Sequence, residues 1–246
     1  MPRVFEFKHV DDEGHEVLTV LKSADRLNRW MYETIAHASR GRILEIGSGT
    51  GNISLQFLEH GHDITLSDIR ENYRSILREN FAHYDNLRGI VPLDLVDDEF
   101  DTRYRELLGT FDTVFALNVI EHIEDDTLAI ANCRKLLVPG GVLIILAPAF
   151  QWLYNSIDEE LFHYRRYRKR DLMRLFDVNG LRVTDSFYWN AFGATGWFAF
   201  GTLLKRKVLT HPSVSIYDRL LPVMKYVDVV LHRWFGLSVV VIGTNP

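Results

Sequence analysis

A glycine-rich turn follows the first strongly apolar stretch of the sequence. Residues 42–51 are Arg-Ile-Leu-Glu-Ile-Gly-Ser-Gly-Thr-Gly, so the glycines stand at every second position. Because glycine has no Cβ, the backbone of such a turn can bend sharply and approach a ligand closely. The spacing G-x-G-x-G departs from the dinucleotide fingerprint G-x-G-x-x-G, which places a pyrophosphate at a helix N-terminus. Since the acid Glu45 precedes the turn, it suits a ligand with a cationic amino-acid portion better than a pyrophosphate.

Polar side chains also close the apolar runs that come next. Asp68 ends the second run, 17 positions beyond Gly51, close to the distance of about 20 at which an acid reaches a cofactor ribose. Asp94 ends the third run, and Asn118 and Glu121 follow the fourth. The carboxyl ends of parallel strands share one edge of a sheet, and ligands bind along that edge. We therefore expect these side chains to form one site.

Segments typical of strands and helices alternate along the chain, which predicts right-handed crossovers and a parallel sheet with helices on both faces. We predict an N-terminal arm at 1–23, irregular or a short hairpin, followed by one domain at 24–246. The last two strands are separated by far more residues than a loop needs. A helical insertion at about 190–236 is predicted there, with helices at 191–204 and 216–235.

Composition limits the classes of partner and location. The chain has 246 residues, a formal net charge of −5 and a pI near 6.1, whereas a nucleic-acid-binding domain is normally basic. We predict no nucleic-acid partner. The N-terminal residues show no apolar core of a secretory signal, and Cys133 is the single cysteine. These features predict a cytoplasmic protein.

The motifs together resemble those of the class I S-adenosylmethionine-dependent methyltransferases. The resemblance covers roughly residues 24–190, and it rests on Leu44–Gly51, Asp68, Asp94, residues 111–122 and Leu137–Gly141. It implies a Rossmann-like α/β fold with a seven-stranded sheet of order 3-2-1-4-5-7-6, in which the seventh strand is antiparallel. The insertion between the last two strands is compatible with that order.

The resemblance also implies S-adenosyl-L-methionine as the cofactor and assigns roles along the sheet edge. Glu45 and the first two glycines of the turn would border the methionine portion, and Asp68 would hold the ribose hydroxyls. Asp94 would accept from the adenine amino group, and Asn118 would line the sulfonium side. The predicted cofactor-binding residues are Glu45, Gly47, Ser48, Gly49, Gly51, Asp68, Ile69, Asp94, Leu95, Asn118 and Val119.

Two histidines on the expected edge are candidate bases. A hydroxyl or ammonium acceptor must lose a proton during methyl transfer, and histidine can take it at neutral pH. His163 lies in residues 158–167, which resemble the D-x-x-x-x-H-x-R-R-Y segment of a bacterial subgroup of these enzymes, on the substrate side. We predict His163 as the base and an arginine as a clamp on an acidic acceptor; a loop tether is the alternative. The predicted acceptor-binding residues are Tyr164, Arg165, Arg166, Tyr167 and Trp189.

His122 is the rival catalytic candidate. It follows Glu121, and a similar Glu-His pair in quinone O-methyltransferases has been linked to a divalent metal. We predict no metal site here.

The predicted function is methyl transfer to oxygen of a small or lipid- or glycan-linked molecule. Alternatives are an N- or C-methyltransferase of a secondary metabolite or quinone, a non-catalytic cofactor-sensing module, and an NAD-dependent dehydrogenase, which the misplaced third glycine disfavours. Residues 187–204 are aromatic and glycine-containing, so ordinary packing, a substrate lid, peripheral membrane contact and a homodimer contact all remain open for this segment.

Overall fold

Seven strands form one sheet in the computed structural model, which describes residues 12–204 and 211–246. The order is β3-β2-β1-β4-β5-β7-β6 with β7 antiparallel to both neighbours, which confirms the predicted fold. The strands are β1 Ile43–Ile46, β2 Ile64–Ser67, β3 Leu87–Val91, β4 Phe111–Leu117, β5 Leu137–Pro148, β6 Arg182–Trp189 and β7 Ser238–Thr244.

The register aligns the carboxyl ends of the central strands. Ile46, the last residue of β1, pairs with Ser67 of β2 on one side and with Ala116 of β4 on the other. All four residues of β1 are buried, as expected for a central strand covered on both faces. The segments that leave these three strands therefore begin side by side.

Helices cover both faces of the sheet. Leu44 and Ile46 pack into one hydrophobic core, whereas Ile43 packs into the other, because successive side chains of a strand point to opposite faces. The helices are α1 Asp12–Lys22, α2 Asp25–Ala36, α3 Asn52–Glu59, α4 Glu71–Phe81, α5 Phe100–Arg103, α6 Asp126–Leu136, α7 Ser156–Glu160, α8 Lys169–Val178, α9 Ala191–Trp197 and α10 His211–Leu231.

The N-terminal segment differs from its prediction. Residues 12–22, expected to be irregular or a hairpin, form helix α1, so the prediction was wrong there; residues 1–11 lie outside the described part of the chain. Val20 is buried, and Asn52 at the start of α3 donates to the carbonyl of Leu18 (3.0 Å). Packing against the rest of the domain stabilises this short helix, and such packing is difficult to predict from the local sequence pattern.

The insertion between β6 and β7 contains α9, a π-helical segment at Phe198–Leu203 and α10. Two buried acids fasten α10 to the domain: Asp218 Oδ1 accepts from the backbone N–H of Leu27 (2.9 Å), and Asp228 Oδ1 accepts from that of Ala191 (2.6 Å). Within residues 12–204 and 211–246, no helix has the length and apolar character needed to cross a membrane.

Candidate active site

A cavity of about 1130 Å³ opens at the carboxyl edge of β1, β2 and β4. Ligand pockets typically measure about 300–1,000 Å³, so this one has room for a cofactor and an acceptor together. Gly51 is the one predicted cofactor residue outside its wall. The predicted residues that line it are Glu45, Gly47, Ser48, Gly49, Asp68, Ile69, Asp94, Leu95, Asn118, Val119, His122, His163, Tyr164, Arg166 and Trp189.

The glycine turn adopts a backbone that other residues rarely accept. Gly47, Gly49 and Gly51 have φ values of 70°, 53° and 85°, in the left-handed region where glycine carries no steric penalty. A Cβ on Gly47 would lie 2.6 Å from a methyl carbon of Val119. The turn is therefore folded tightly against the wall of the cavity, with no space for a side chain.

Two buried acids stand beside this turn. Asp68 is 5% exposed and accepts from the backbone N–H groups of Gly49 (3.0 Å) and Arg70 (2.9 Å), one on each oxygen. Glu45 accepts from the hydroxyl of Ser54, and burial raises the pKa of Glu45 to about 7. A carboxylate has about four acceptor positions, so both acids retain capacity for a ligand, and a cationic ligand compensates their buried charge.

Asp94 and Asn118 complete the cofactor side of the wall. Asp94 Oδ1 accepts from the backbone N–H of Val96 (2.9 Å), and Tyr104 accepts from the N–H of Asp94 (3.0 Å), so the acid has a fixed orientation. Asn118 has φ 54° and donates its N–H to the carbonyl of Leu146 (2.8 Å). Three acids around a glycine turn favour a cationic ligand and disfavour a pyrophosphate.

His163 forms a buried pair with Asp158, a partner whose role was not predicted from the sequence. Its Nδ1 lies 2.8 Å from Asp158 Oδ1, and both side chains are almost inaccessible. Burial opposes ionisation of Asp158, but the hydrogen bond from His163 and the charge of Arg166 hold the pKa of Asp158 below its usual range. An ionised carboxylate only accepts, so Nδ1 carries the proton and Nε2 is left as an acceptor.

Burial also lowers the pKa of His163, although Asp158 opposes that change. The imidazole is therefore neutral near pH 7. A neutral imidazole held by a carboxylate at Nδ1 is oriented to take a proton at Nε2.

The predicted arginine clamp has other partners. Arg166 donates from Nε to Asp158 Oδ1 (2.8 Å) and from Nη1 to the carbonyl of Ala149 (3.1 Å), with a side chain 1% exposed. Its guanidinium also lies over the ring of Trp197, 4.7 Å from the centroid. Arg166 thus holds the His163 pair in place, and its role as a clamp on an acidic acceptor stays a prediction.

Arg165 and Tyr167 do not line the cavity. Both donate to Asp126 Oδ2 at the start of α6, each at 2.9 Å. These two residues therefore attach the loop to helix α6, which follows β4, and do not make the predicted contact with an acceptor in the cavity. Spacing alone could not distinguish the inward from the outward residues of this loop.

Glu121, His122 and His163 form a polar cluster in the cavity. Each offers one ligand atom, and the three atoms lie within 4.8 Å of one another, so the cluster could hold a divalent cation. Neither carboxylate oxygen of Glu121 has a hydrogen-bond partner among the described residues, and burial raises its pKa to about 8. The side chain of His122 is exposed at the cavity, and desolvation there, with His163 and Arg70 nearby, lowers the pKa of its imidazole.

The far wall of the cavity is largely apolar. Trp189, predicted to contact the acceptor, packs on Trp30 with ring centroids 4.5 Å apart. Most of the remaining wall was not predicted, because α1, α9 and α10 approach it from distant parts of the sequence. These additional wall residues include Val17, Leu18, Leu21, Trp197, Phe200, Val214 and Tyr217.

The sequence matches a known family model over part of its length. A model described as a methyltransferase domain matches residues 44–143, a range that includes the glycine turn, β2, β3, β4 and the start of β5. Prosolanapyrone synthase from Alternaria solani is 32% identical over 114 residues, which are 43% of this chain and 4% of that protein. The chain thus spans a small fraction of the length of such relatives.

Solved structures resemble the whole chain. One chain of the complex between the Haloferax volcanii Trm112 methyltransferase activator and a methyltransferase gives a TM-score of 0.62 at 15% identity, over 96% of this chain and 99% of that chain. The CurJ carbon methyltransferase gives 0.55 at 17% identity, over 90% of this chain and 54% of that one. At such identities the likeness establishes a shared fold.

Proposed function

We propose that this chain is a class I S-adenosylmethionine-dependent methyltransferase and that it moves a methyl group to the oxygen of a small or lipid- or glycan-linked acceptor. The single observation that carries the proposal is the Asp158–His163 pair, whose histidine lines the same cavity as the glycine turn and Asp68. A cofactor-sensing module would need no oriented neutral histidine beside its ligand. The three acids of the cofactor wall likewise disfavour a dinucleotide-dependent dehydrogenase.

The cofactor supplies an electrophilic methyl group on a sulfonium. The glycine turn would give it close backbone contact, while Glu45 and Asp68 would place negative charge near its cationic groups. Alignment of acceptor, methyl and sulfur can contribute up to about 7–11 kcal/mol to the rate enhancement. The wall of the cavity would supply this alignment by holding the cofactor and the acceptor in fixed positions.

His163 removes the acceptor's proton. With the cofactor bound as methyl donor, the acceptor's hydroxyl proton would pass to Nε2 of His163, and Asp158 would stabilise the imidazolium through Nδ1–H. A positioned base of this kind contributes about 10²–10⁴ in rate. S-adenosylhomocysteine and the methyl ether are the products.

The walls favour an acceptor with an apolar body. Trp197, Phe200 and Tyr217 surround the part of the cavity contributed by the insertion, and Arg166, the arginine of residues 158–167 that lines the cavity, is bound to Asp158. His122 and His163 lie side by side in this wall, and a single hydroxyl would react beside them. An acidic carbon is the alternative acceptor atom, because CurJ is a carbon methyltransferase and the same base could remove a C–H proton.

Replacement of His163 by glutamine tests the proposal. We expect turnover to fall by about 10²–10⁴, while affinity for S-adenosylhomocysteine stays within about twofold. The measurement is transfer of a labelled methyl group to a panel of apolar hydroxylated acceptors, with product NMR to separate methyl ethers from C-methyl products. His83→Gln, at an exposed histidine outside the cavity wall, is the matched control. Near-normal turnover in His163→Gln would leave His163 as a loop tether.

The polar cluster offers a metal-assisted variant of the reaction, in which a cation bound by Glu121, His122 and His163 would polarise the acceptor oxygen. Activity that disappears after chelation and returns with a divalent cation would favour this variant. Activity unaffected by chelation would favour direct base catalysis by His163.

A further inference from the structure

Helix α10 carries an apolar stripe that faces solvent. Ile216, Leu220, Val223, Val227 and Val230 recur at intervals of four and three residues, so they lie on one side of the helix. Each is exposed, from 46% for Leu220 to 71% for Val223. The stripe extends over about 21 Å at 1.5 Å per residue.

The opposite side of α10 already packs on the domain. Val214, Leu221 and Met224 are buried there, together with the two acids that cap other helices, Asp218 and Asp228. A helix that is apolar on both sides is normally covered on both sides. The outer stripe therefore lacks a counterpart among the described residues.

The charged residues exposed beside the stripe are basic: Arg219 and Arg233. Lys225 lies on the inner side of the helix, where it pairs with Glu33 of α2 (2.8 Å). Both aspartates of α10 are turned inward, so the exposed side of the helix carries no acid although the chain as a whole has a net charge of −5. Tyr226 and Trp234 are exposed along the same surface.

We propose that this outer face of α10 binds the surface of an anionic lipid bilayer. Aliphatic side chains in a stripe, flanked by arginines and by aromatic residues, are the features of a helix that lies in the membrane interface. A second copy of the chain fits less well, because a two-fold interface would bring like surfaces together and would place arginines near arginines without acids to pair them.

The outer face of α10 is distinct from the aromatic segment at residues 187–204, for which the sequence left peripheral membrane contact open. Tyr188 and Trp189 are buried, Trp197 and Phe200 face the cavity, and only Phe192 among the aromatic residues of 187–204 counts as exposed. The membrane contact therefore moves from that segment to α10. Since Val214 and Tyr217 of α10 also line the cavity, a bilayer on the outer face would lie one helix away from the acceptor site.

Vesicle co-sedimentation of the full chain, without cofactor or acceptor, tests this binding separately from methyl transfer. We expect binding to phosphatidylcholine vesicles that contain phosphatidylglycerol, and much weaker binding to phosphatidylcholine alone. Val223→Glu should lower the partition coefficient by at least about tenfold. Arg219→Gln and Arg233→Gln should each lower it about fivefold on anionic vesicles.

Val178→Glu is the matched control, because Val178 on α8 is also an exposed helical valine, at 61%, outside this face. It should bind anionic vesicles as the wild type does. Equal binding of the wild type to both kinds of vesicle, or an equal loss in Val178→Glu, would overturn the proposal. So would a wild-type dimer in light scattering that Val223→Glu separates into monomers while vesicle binding is absent.

Discussion

Replacement of Asp68 by alanine should weaken cofactor binding far more than any surface substitution on the same strand. Asp68 follows β2 at the cavity, where each carboxylate oxygen accepts one backbone N–H and has room for another donor. A hydrogen bond to a charged group contributes about 1.5–3 kcal/mol. Loss of that amount at the ribose corresponds to an increase of about 10- to 150-fold in the dissociation constant.

The assay is calorimetric titration with S-adenosylhomocysteine, which needs no acceptor. Asp63→Ala is the matched control because Asp63 stands at the other end of the same strand, where it forms a surface ion pair with Arg88 (2.6 Å). Surface pairs contribute about 0–1 kcal/mol to stability, and Asp63 does not line the cavity. Its removal should leave the dissociation constant within about twofold.

Asp68 also holds the glycine turn, so the apparent melting temperature of each variant without ligand must be compared with that of the wild type. A folded Asp68→Ala variant that binds S-adenosylhomocysteine with wild-type affinity would refute the ribose assignment. An equal loss in Asp63→Ala would show that the effect comes from strand β2 in general and not from the carboxylate at the cavity.

Two further predictions concern stability. Burial raises the pKa of Glu121 from 4.5 to about 8 in the folded chain, so between these pH values the folded chain holds a proton that the unfolded chain has released, and stability falls as pH rises through that window. In urea unfolding at pH 5 and pH 9, Glu121→Gln should gain up to a few kcal/mol in stability over the wild type at the higher pH. Parallel pH dependence of the two proteins would contradict this. In thermal unfolding, Gly47→Ala should lower the stability of the protein more than Gly61→Ala does. Of these two variants, we expect weaker cofactor binding in Gly47→Ala and unchanged binding in Gly61→Ala. Both positions have positive φ, but only at Gly47 would a Cβ meet a neighbour, 2.6 Å away on Val119, while Gly61 has open space; equal effects would mean that backbone strain alone matters.

The meeting of the predicted cofactor residues in one cavity was predictable because these residues are tied to strand ends. Gly47, Asp68, Asp94 and Asn118 each follow a recognisable apolar run, and the carboxyl ends of such strands must share an edge in a parallel sheet. Strand order and the antiparallel last strand came from resemblance to a family and were confirmed. The helix at residues 12–22 was missed since its stability depends on contacts with α2, α3 and α10.

The acceptor half could not be predicted in the same way, because its geometry depends on which side of a loop each residue faces. Arg165 and Arg166 are adjacent in sequence, yet Arg165 binds Asp126 and does not line the cavity, whereas Arg166 binds Asp158 and does line it. A buried carboxylate shared by His163 and Arg166 needs both partners, since removal of one leaves the other charge uncompensated. The segment 158–167 is therefore best understood as a scaffold that presents one neutral imidazole, and we propose that acceptor choice depends on the apolar walls that α1, α9 and α10 contribute.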